Sequence, residues 1–227
     1  MPADWDSHWN TKGINHDIMQ IWAGYFVDSY QKYFGFLEND VVLDFGAGLG
    51  DVSFLIKGKV RRIYLFDKSK YFLEALEKRF ERFENVRVVD SLRKIEEPVT
   101  LIIISGVAPY LSEEDLKDML IGLHGLCEAS TRIIISDIVP PGYSKFIDGF
   151  SQLLTGLKEK FFTKLFSYIL SNIFYDPKLS LKTSSLYKYD EKALNQILGE
   201  HGYSARRMES NFSYSKYRYT LLCRLTV

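Results

Sequence analysis

Cysteine, net charge and long apolar runs are all scarce in this sequence, and each scarcity argues against a class of protein. Its two cysteines, Cys127 and Cys223, lie far apart without a C-x-x-C spacing, so we expect neither a disulfide framework nor a zinc site. Because free cysteines are commonly buried, both are predicted to be buried thiols. No run approaches the roughly 20 apolar residues that a membrane-spanning helix needs. Residues Met1 to Asn10 also lack a basic stretch followed by an apolar one, so a cytoplasmic location is expected.

The charges balance, since 29 lysines and arginines face 29 aspartates and glutamates in 227 residues. This balance removes the main electrostatic argument for binding nucleic acid or an anionic membrane, although a local basic patch is compatible with a neutral total. Hydrophobic residues make up 46%, enough for the core of one domain spanning residues 1–227. The aromatic share of 15% is high, and these rings must fill either a core or a large apolar pocket.

Short apolar runs alternate with helical patterns along most of the chain. The runs predict strands at 41–45, 62–66, 85–90, 99–105 and 132–136. Apolar residues at three- and four-residue spacing predict helices at 14–35, 71–83, 113–126 and 191–200. Continuous apolar strands alternating with helices indicate a parallel sheet with helices on both faces, and 91–98 predicts an abbreviated crossover. Segments 203–212 and 217–225 are predicted to pair as an antiparallel hairpin across a short link at 213–216.

A glycine-rich segment follows the first predicted strand, at the edge where open α/β sheets bind ligands. It reads Asp44-Phe45-Gly46-Ala47-Gly48-Leu49-Gly50. A dinucleotide fingerprint, G-x-G-x-x-G/A, would need a small residue where this sequence has Asp51. A carboxylate at Asp44 would also repel a pyrophosphate and attract an ammonium group. An NAD-dependent oxidoreductase is therefore disfavoured, and a ligand with a cationic group is favoured.

Acidic residues also follow the second and third predicted strands. Asp67 stands 21 residues after Gly46, where a carboxylate is placed to accept hydrogen bonds from both hydroxyls of a ribose. Asp90 and Ser91 are suited to an adenine amino group and ring nitrogen. A lone aspartate after a strand more commonly caps a helix or a turn. Three of them in order behind a glycine loop indicate a single ligand-binding edge.

The pattern Asp44-x-Gly46-x-Gly48-x-Gly50, then Asp67, then Asp90-Ser91 resembles the class I S-adenosylmethionine-dependent methyltransferases. The resemblance covers nearly the whole chain and is nearest to the small-molecule branch. It implies a Rossmann-like α/β fold with a seven-stranded mixed sheet whose last strand is antiparallel. It further implies an N-terminal helical cap at 1–38, a nucleotide-binding core at 39–140, a helical insertion at 143–186, and a terminal helix and hairpin at 190–227.

By this resemblance the cofactor is S-adenosyl-L-methionine, which leaves as S-adenosyl-L-homocysteine, and no metal is expected. The residues that match the family's cofactor site are Asp44, Gly46, Ala47, Gly48 and Gly50 for the methionine part, Asp67 and Lys68 for the ribose, Asp90, Ser91 and Leu92 for the adenine, and Ser105 and Gly106 beside the cofactor.

A general base is harder to identify, because no histidine stands near Pro109, where many small-molecule relatives carry one. The candidates are His16, Tyr110 and Asp137, with His8 and Tyr143 as further possibilities. Alternative roles remain open for two of them: His16 as an exposed or capping residue at a helix start, and Asp137 as a structural residue.

Residues 143–186 interrupt the alternation with a wide apolar stripe at helical spacing. In the family resembled, insertions at this point cap the acceptor pocket. Three interpretations stay open: the wall of a pocket for a bulky apolar molecule, a homodimer interface, and core packing. The candidate acceptor-binding residues are Trp9, Tyr110, Tyr143, Phe146 and Phe150.

The sequence thus predicts methyl transfer from S-adenosylmethionine to an oxygen or nitrogen of a small, apolar or aromatic metabolite, driven mainly by proximity. The alternative is a cofactor-bound protein of the same fold that does not methylate, acting as a binding partner or as another kind of catalyst. Methylation of nucleic acid or protein is less favoured, because the charges balance and because Val107 replaces the hydrogen-bonding residue of the amino-methylating nucleic-acid enzymes.

Overall fold

The computed structural model describes residues 16–144 and 186–226, which build one mixed sheet of seven strands with helices on both faces. The strands are β1 (Val41–Phe45), β2 (Arg62–Phe66), β3 (Val86–Val89), β4 (Val99–Ser105), β5 (Cys127–Ile138), β6 (Tyr203–Arg207) and β7 (Tyr219–Leu225). The α-helices of these residues are α1 (His16–Tyr33), α2 (Asp51–Ile56), α3 (Lys70–Phe80), α4 (Glu113–His124) and α5 (Glu191–Glu200). Short 3₁₀ helices cover Leu92–Lys94 and Ala108–Tyr110.

The strand order is β3-β2-β1-β4-β5-β7-β6. Strands β1 to β5 pair in parallel, whereas β7 runs antiparallel to both β5 and β6. The carboxyl ends of β1 to β5 therefore meet at one edge of the sheet, and the amino end of β7 lies at the same edge. This arrangement confirms the predicted mixed sheet with an antiparallel last strand.

Side chains of each central strand alternate between two apolar cores, as the pleat of a strand requires. On one face the strands pack with α1, α2 and α3 through residues such as Phe26, Ile56 and Leu76. On the other face they pack with α4 and α5 through residues such as Leu120 and Leu198. None of the helices in residues 16–144 and 186–226 is long and apolar enough to cross a membrane.

The connection between the last two strands is longer than the sequence pattern predicted. Strand β6 ends at Arg207 and β7 begins at Tyr219, so the predicted link at 213–216 is wrong and residues 208–218 form the connection. Met208, Phe212 and Tyr214 alternate like strand residues, but they are buried as parts of a loop. Their burial in tertiary contacts explains why a period-two pattern mistook this loop for a continuation of the strands.

Strand β5 also begins earlier than predicted, at Cys127, because its first residues continue the pairing with β4 at the amino-terminal edge. Both cysteines are free thiols. Cys223 is buried as predicted, whereas Cys127 is only half-buried, which corrects the prediction for that residue.

A buried ion pair fastens the amino-terminal edge of the sheet. Arg132 on β5 contacts the Asp40 carboxylate at 2.5 Å, and the two side chains are 13% and 2% exposed. Asp40 also accepts hydrogen bonds from the Thr100 hydroxyl at 2.7 Å and the Leu37 amide at 2.8 Å. Because the carboxylate is satisfied from three directions, the segment before β1 is held against β4 and β5.

We expect Arg132→Met to destabilise the protein by about 3 kcal/mol, because it leaves the buried Asp40 charge without its cation. Arg61 forms a comparable 2.5 Å pair with Glu97 but is 50% exposed, so Arg61→Met should cost less than about 1 kcal/mol. Urea unfolding of the two variants measures the difference. Equal losses would show that burial does not set the strength of the Asp40 pair.

Candidate functional site

A cavity of about 490 Å³ lies at the carboxyl edge of the parallel strands, a size typical of small-molecule sites. The predicted site residues that line it are Asp44, Gly46, Ala47, Gly48, Asp67, Lys68, Ser105, Gly106, Tyr110 and Asp137. Further lining residues come from α1, from the starts of α2 and α3, from the loop after β4 and from the 208–218 loop. Among them are Met19, Trp22, Asp51, Phe72, Val107, Ser213, Tyr214 and Arg218.

The glycine loop after β1 is held in place by the end of β2. The amides of Gly46 and Ala47 both donate to the carbonyl of Phe66, at 2.8 and 3.0 Å. Gly46 has φ +71°, and a Cβ there would lie 2.5 Å from Cγ2 of Val107. The loop after β1 therefore touches the loop after β4, and only a glycine permits this approach.

Gly50 closes the loop at the start of α2. Its φ is +73°, and an added Cβ would lie 2.7 Å from Phe80 and 2.8 Å from Leu76 of α3. The glycine thus allows close packing of α2 and α3, and it is not among the cavity-lining residues. The next residue, Asp51, forms a 2.8 Å ion pair with Arg79, whose guanidinium also donates to the Leu49 carbonyl.

The Asp44 carboxylate is buried at the base of the glycine loop, 4% exposed. It accepts a 2.6 Å hydrogen bond from the Ser53 hydroxyl. Among the described residues no lysine or arginine forms an ion pair with it. Burial raises the pKa of Asp44 to about 6, the Ser53 hydrogen bond opposes the rise, and the Asp67 and Asp51 carboxylates add to it. A cation placed in the cavity would be attracted to this carboxylate.

Asp67, directly after β2, connects the loop to the neighbouring strand. One carboxylate oxygen accepts from the Gly48 amide at 2.9 Å, and the other accepts from the Ser69 amide at 2.9 Å. Each carboxylate oxygen can accept more than one hydrogen bond, so these contacts orient the group without exhausting its capacity. Asp67 therefore faces the cavity in a fixed position.

The three residues predicted to frame an adenine lie apart from this lining. Asp90 is exposed and pairs with Lys94 at 2.8 Å, and the hydrogen bond from Lys94 lowers the pKa of its carboxyl. The Ser91 hydroxyl accepts from the Arg93 amide and caps the short 3₁₀ helix that begins at Leu92. Adenine binding by these residues stays a prediction.

Asp137 and Arg218 form a second polar group in another wall of the cavity. The Arg218 guanidinium contacts one Asp137 oxygen at 2.5 Å, and both side chains are nearly buried. The Ser213 hydroxyl donates to the other oxygen. Arg218 also donates to the Tyr143 hydroxyl at 3.1 Å, which places Tyr143 behind Arg218 rather than in the cavity lining.

Aromatic rings join the same wall to the first helix. Trp22 of α1 stacks on Tyr214 with ring centroids 4.4 Å apart and planes 21° from parallel. Tyr110, in the 3₁₀ helix after β4, lines the cavity as well. Trp22, Tyr110 and Tyr214 thus form an aromatic wall of the cavity.

The remaining candidates fall in the parts of the chain that the structure does not describe. His8, Trp9, Phe146 and Phe150 lie outside the described residues, as does most of the 143–186 insertion. The helix α1 begins at His16, whose side chain is not described. The roles predicted for these residues, and the dimer interface, stay predictions.

The sequence analysis missed the contribution of Ser213, Tyr214 and Arg218 to the cavity. A signal for it was present, since an antiparallel strand beside β5 must begin at the edge where the parallel strands end. The loop before that strand therefore lies at the ligand-binding edge. Because the predicted strands placed Ser213 in the short link at 213–216, this consequence was not recognised.

No known protein family matches the sequence, and no curated protein is detectably similar. Solved structures match at low identity. Magnesium protoporphyrin IX methyltransferase (ChlM) from Synechocystis PCC 6803, with bound SAH, has 20% identity and a TM-score of 0.56, over 97% of this chain and 92% of that one. Mitomycin 7-O-methyltransferase MmcR has 11% identity and a TM-score of 0.63, over 92% and 54%. A pericyclic reaction enzyme has 11% identity and a TM-score of 0.55, over 88% and 47%.

The chain has the class I methyltransferase fold. At these identities the similarity establishes the architecture, and it confirms the fold that the sequence resemblance implied. The chain spans nearly all of ChlM but about half the length of MmcR and of the pericyclic enzyme.

We expect Gly46→Ala to destabilise the protein by about 1–3 kcal/mol more than Gly48→Ala. Both positions have positive φ, but a Cβ at Gly48 meets nothing within 4 Å, whereas one at Gly46 meets the stiff Val107 side chain. Urea unfolding compares the two variants. Adding Val107→Ala should recover part of the loss in Gly46→Ala, and no recovery would place the strain elsewhere.

Replacing Asp44 by Asn should stabilise the ligand-free protein above pH 6. The pKa of Asp44, about 6, lies above its ordinary value of 3.8, so the folded state holds the proton more tightly than the unfolded state. The wild type therefore loses stability as the pH rises from 4 to 6, and the Asn variant does not lose this contribution. The stability difference should grow in favour of the variant by about 2–3 kcal/mol between pH 4 and 7.5. A difference that is constant across urea titrations at these pH values would contradict the assignment.

Proposed function

We propose that the protein transfers a methyl group from S-adenosylmethionine to an oxygen or nitrogen of a small, apolar or aromatic molecule. The observation that carries the proposal is the buried Asp44 carboxylate, which has no ion-pair partner among the described residues and lies under a glycine loop on the cavity floor. Its charge selects a cationic ligand rather than a phosphate. Structures of the same fold include ChlM and MmcR, both named methyltransferases.

The described residues suit this cofactor. Asp44 would bind the ammonium group of its methionine part, and the Gly46–Gly50 loop lets the backbone approach closely. Asp67, held by the Gly48 and Ser69 amides, would accept hydrogen bonds from the ribose hydroxyls. When bound, S-adenosylmethionine supplies an electrophilic methyl group on a sulfonium centre.

For the rest of the reaction, the protein has to position the acceptor, and proton transfer is less important. Trp22, Tyr110 and Tyr214 provide an aromatic surface for an acceptor facing the glycine loop. No histidine lines the cavity within residues 19–144 and 186–226. Holding acceptor and methyl donor in line, with water excluded by these rings, accounts for catalysis by proximity.

A second function deserves a test because the pericyclic reaction enzyme has the same fold and a comparable TM-score. Under this alternative the chain binds the cofactor but does not transfer its methyl group. Labelled S-adenosylmethionine separates the two, because a methyltransferase passes the label to an acceptor in a panel of phenols, amines and carboxylic acids. Turnover of an acceptor without label transfer would favour the alternative.

Calorimetric titration with S-adenosylhomocysteine tests the cofactor assignment. We expect the wild type to bind, and Asp67→Ala and Asp44→Asn each to weaken binding by about 1–3 kcal/mol through loss of a hydrogen-bonded charge. Asp118→Ala, an exposed substitution on α4, is the matched control and should leave the affinity unchanged.

Asp44→Asn separates loss of binding from loss of folding, because the same change should stabilise the ligand-free fold. Weaker binding by a more stable protein cannot come from partial unfolding. Failure of the wild type to bind S-adenosylhomocysteine, or equal affinity in all four proteins, would contradict the proposed function.

A further inference from the structure

The backbone at the end of β5 is strained at one residue. Asp137 has φ +67°, the single positive φ of a non-glycine residue in the described chain. A register shift in the β5–β7 pairing falls between Ile135 and Ile138, around the same residue. Left-handed backbone costs roughly 1–2 kcal/mol outside glycine, although aspartate tolerates it better than most residues. Such a conformation persists when the surrounding contacts hold it in place.

Those contacts all come from the loop of residues 208–218. Ser213 donates to one oxygen of the Asp137 carboxylate, and Arg218 binds the other. The Asp137 amide donates to the Asn211 side-chain oxygen at 3.2 Å. Asn211 in turn donates to the Ser213 hydroxyl at 2.8 Å and to the Ser215 carbonyl at 2.9 Å. One strained residue therefore fastens the loop at three points.

The fastened loop contributes Ser213, Tyr214 and Arg218 to the cavity lining. Tyr214 lies between the Ser213 and Arg218 attachments and stacks on Trp22 of α1. Trp22, Tyr214 and Arg218 all line the cavity. The geometry that holds Asp137 thus also decides where this aromatic wall stands.

The same contacts argue against Asp137 as the general base. A base must point an oxygen at the proton of the acceptor within hydrogen-bond distance. Both oxygens of Asp137 are turned toward Ser213 and Arg218, and the residue is 8% exposed. Its carboxylate instead holds the 208–218 loop through Ser213 and Arg218.

We infer that Asp137 is a positioning residue: through Arg218 and Ser213 it locks the 208–218 loop so that Tyr214 stacks on Trp22 and forms the acceptor-side wall. That this wall meets an acceptor rests on the proposed function, whereas the positioning itself is a property of the ligand-free protein. Asp137 is therefore assigned this positioning role and not the role of general base.

Trp22 provides a spectroscopic readout. The chain has three tryptophans, so the background Trp5→Phe/Trp9→Phe leaves Trp22 as the sole one. In this background we compare acrylamide quenching of fluorescence for Asp137→Asn, Arg218→Met, Ser213→Ala and Tyr214→Ala. Asparagine also tolerates left-handed backbone, so Asp137→Asn removes the charge without adding strain. Asp118→Ala is the control.

Tyr214→Ala uncovers Trp22 and should raise the quenching constant about twofold, which sets the limit of the response. Asp137→Asn and Arg218→Met should each approach that limit, and their double variant should add little because both break one ion pair. Ser213→Ala should give a smaller rise. If Asp137→Asn does not fold, Arg218→Met and Ser213→Ala decide the question.

Wild-type quenching in folded Asp137→Asn and Arg218→Met would overturn the inference, and so would an unchanged constant in Tyr214→Ala. Titration of the same proteins with S-adenosylhomocysteine keeps the two proposals apart. If none of the proteins binds S-adenosylhomocysteine, the proposed function is contradicted. The quenching data would still test whether Asp137 positions the 208–218 loop.

Discussion

Burial of the Asp44 carboxylate is the constraint on which the rest of the cavity depends. Four carboxylates line this space, and their partners differ: Asp51 pairs with Arg79, Asp137 pairs with Arg218, Asp67 accepts from two backbone amides, and Asp44 accepts from Ser53. Asp44 is the most costly of them, because burial raises its pKa and the hydrogen bonding from Ser53 leaves much of the desolvation penalty in place. A cationic ligand would offset that penalty. Part of the free energy that the buried Asp44 carboxylate costs the ligand-free fold would then be recovered when the ligand binds.

The two edges of the sheet treat a buried carboxylate in opposite ways. At the amino-terminal edge Asp40 has a guanidinium, a hydroxyl and an amide, and its role is to hold strands together. At the carboxyl-terminal edge Asp44 has the Ser53 hydroxyl. Proteins often carry a local loss of stability where a ligand will bind, and the contrast between Asp40 and Asp44 locates that loss.

Local patterns were enough to predict the parallel strands, the glycine loop and the positions of Asp44 and Asp67, because these depend on runs of neighbouring residues. They failed where distant contacts decide. Residues 208–212 were predicted as strand because Met208 and Phe212 are apolar, yet the shape of the 208–218 loop depends on Asp137, far away in the sequence. The Asp90–Lys94 pair, by contrast, has a four-residue spacing that the sequence displays, and adenine binding by Asp90 stays a prediction.

The position of β7 between β5 and β6 has a consequence for how the molecule assembles. Strand β6 precedes β7 in the chain, but it is the outermost strand of the sheet and pairs with β7 alone. It cannot join the sheet until the later strand has docked on β5, and until then β5 presents an open edge of unpaired backbone groups. The same docking brings residues 208–218 to the cavity. The aromatic wall and the protection of the sheet edge therefore depend on the same long-range pairing of β7 with β5, so a change that weakens this pairing would affect both.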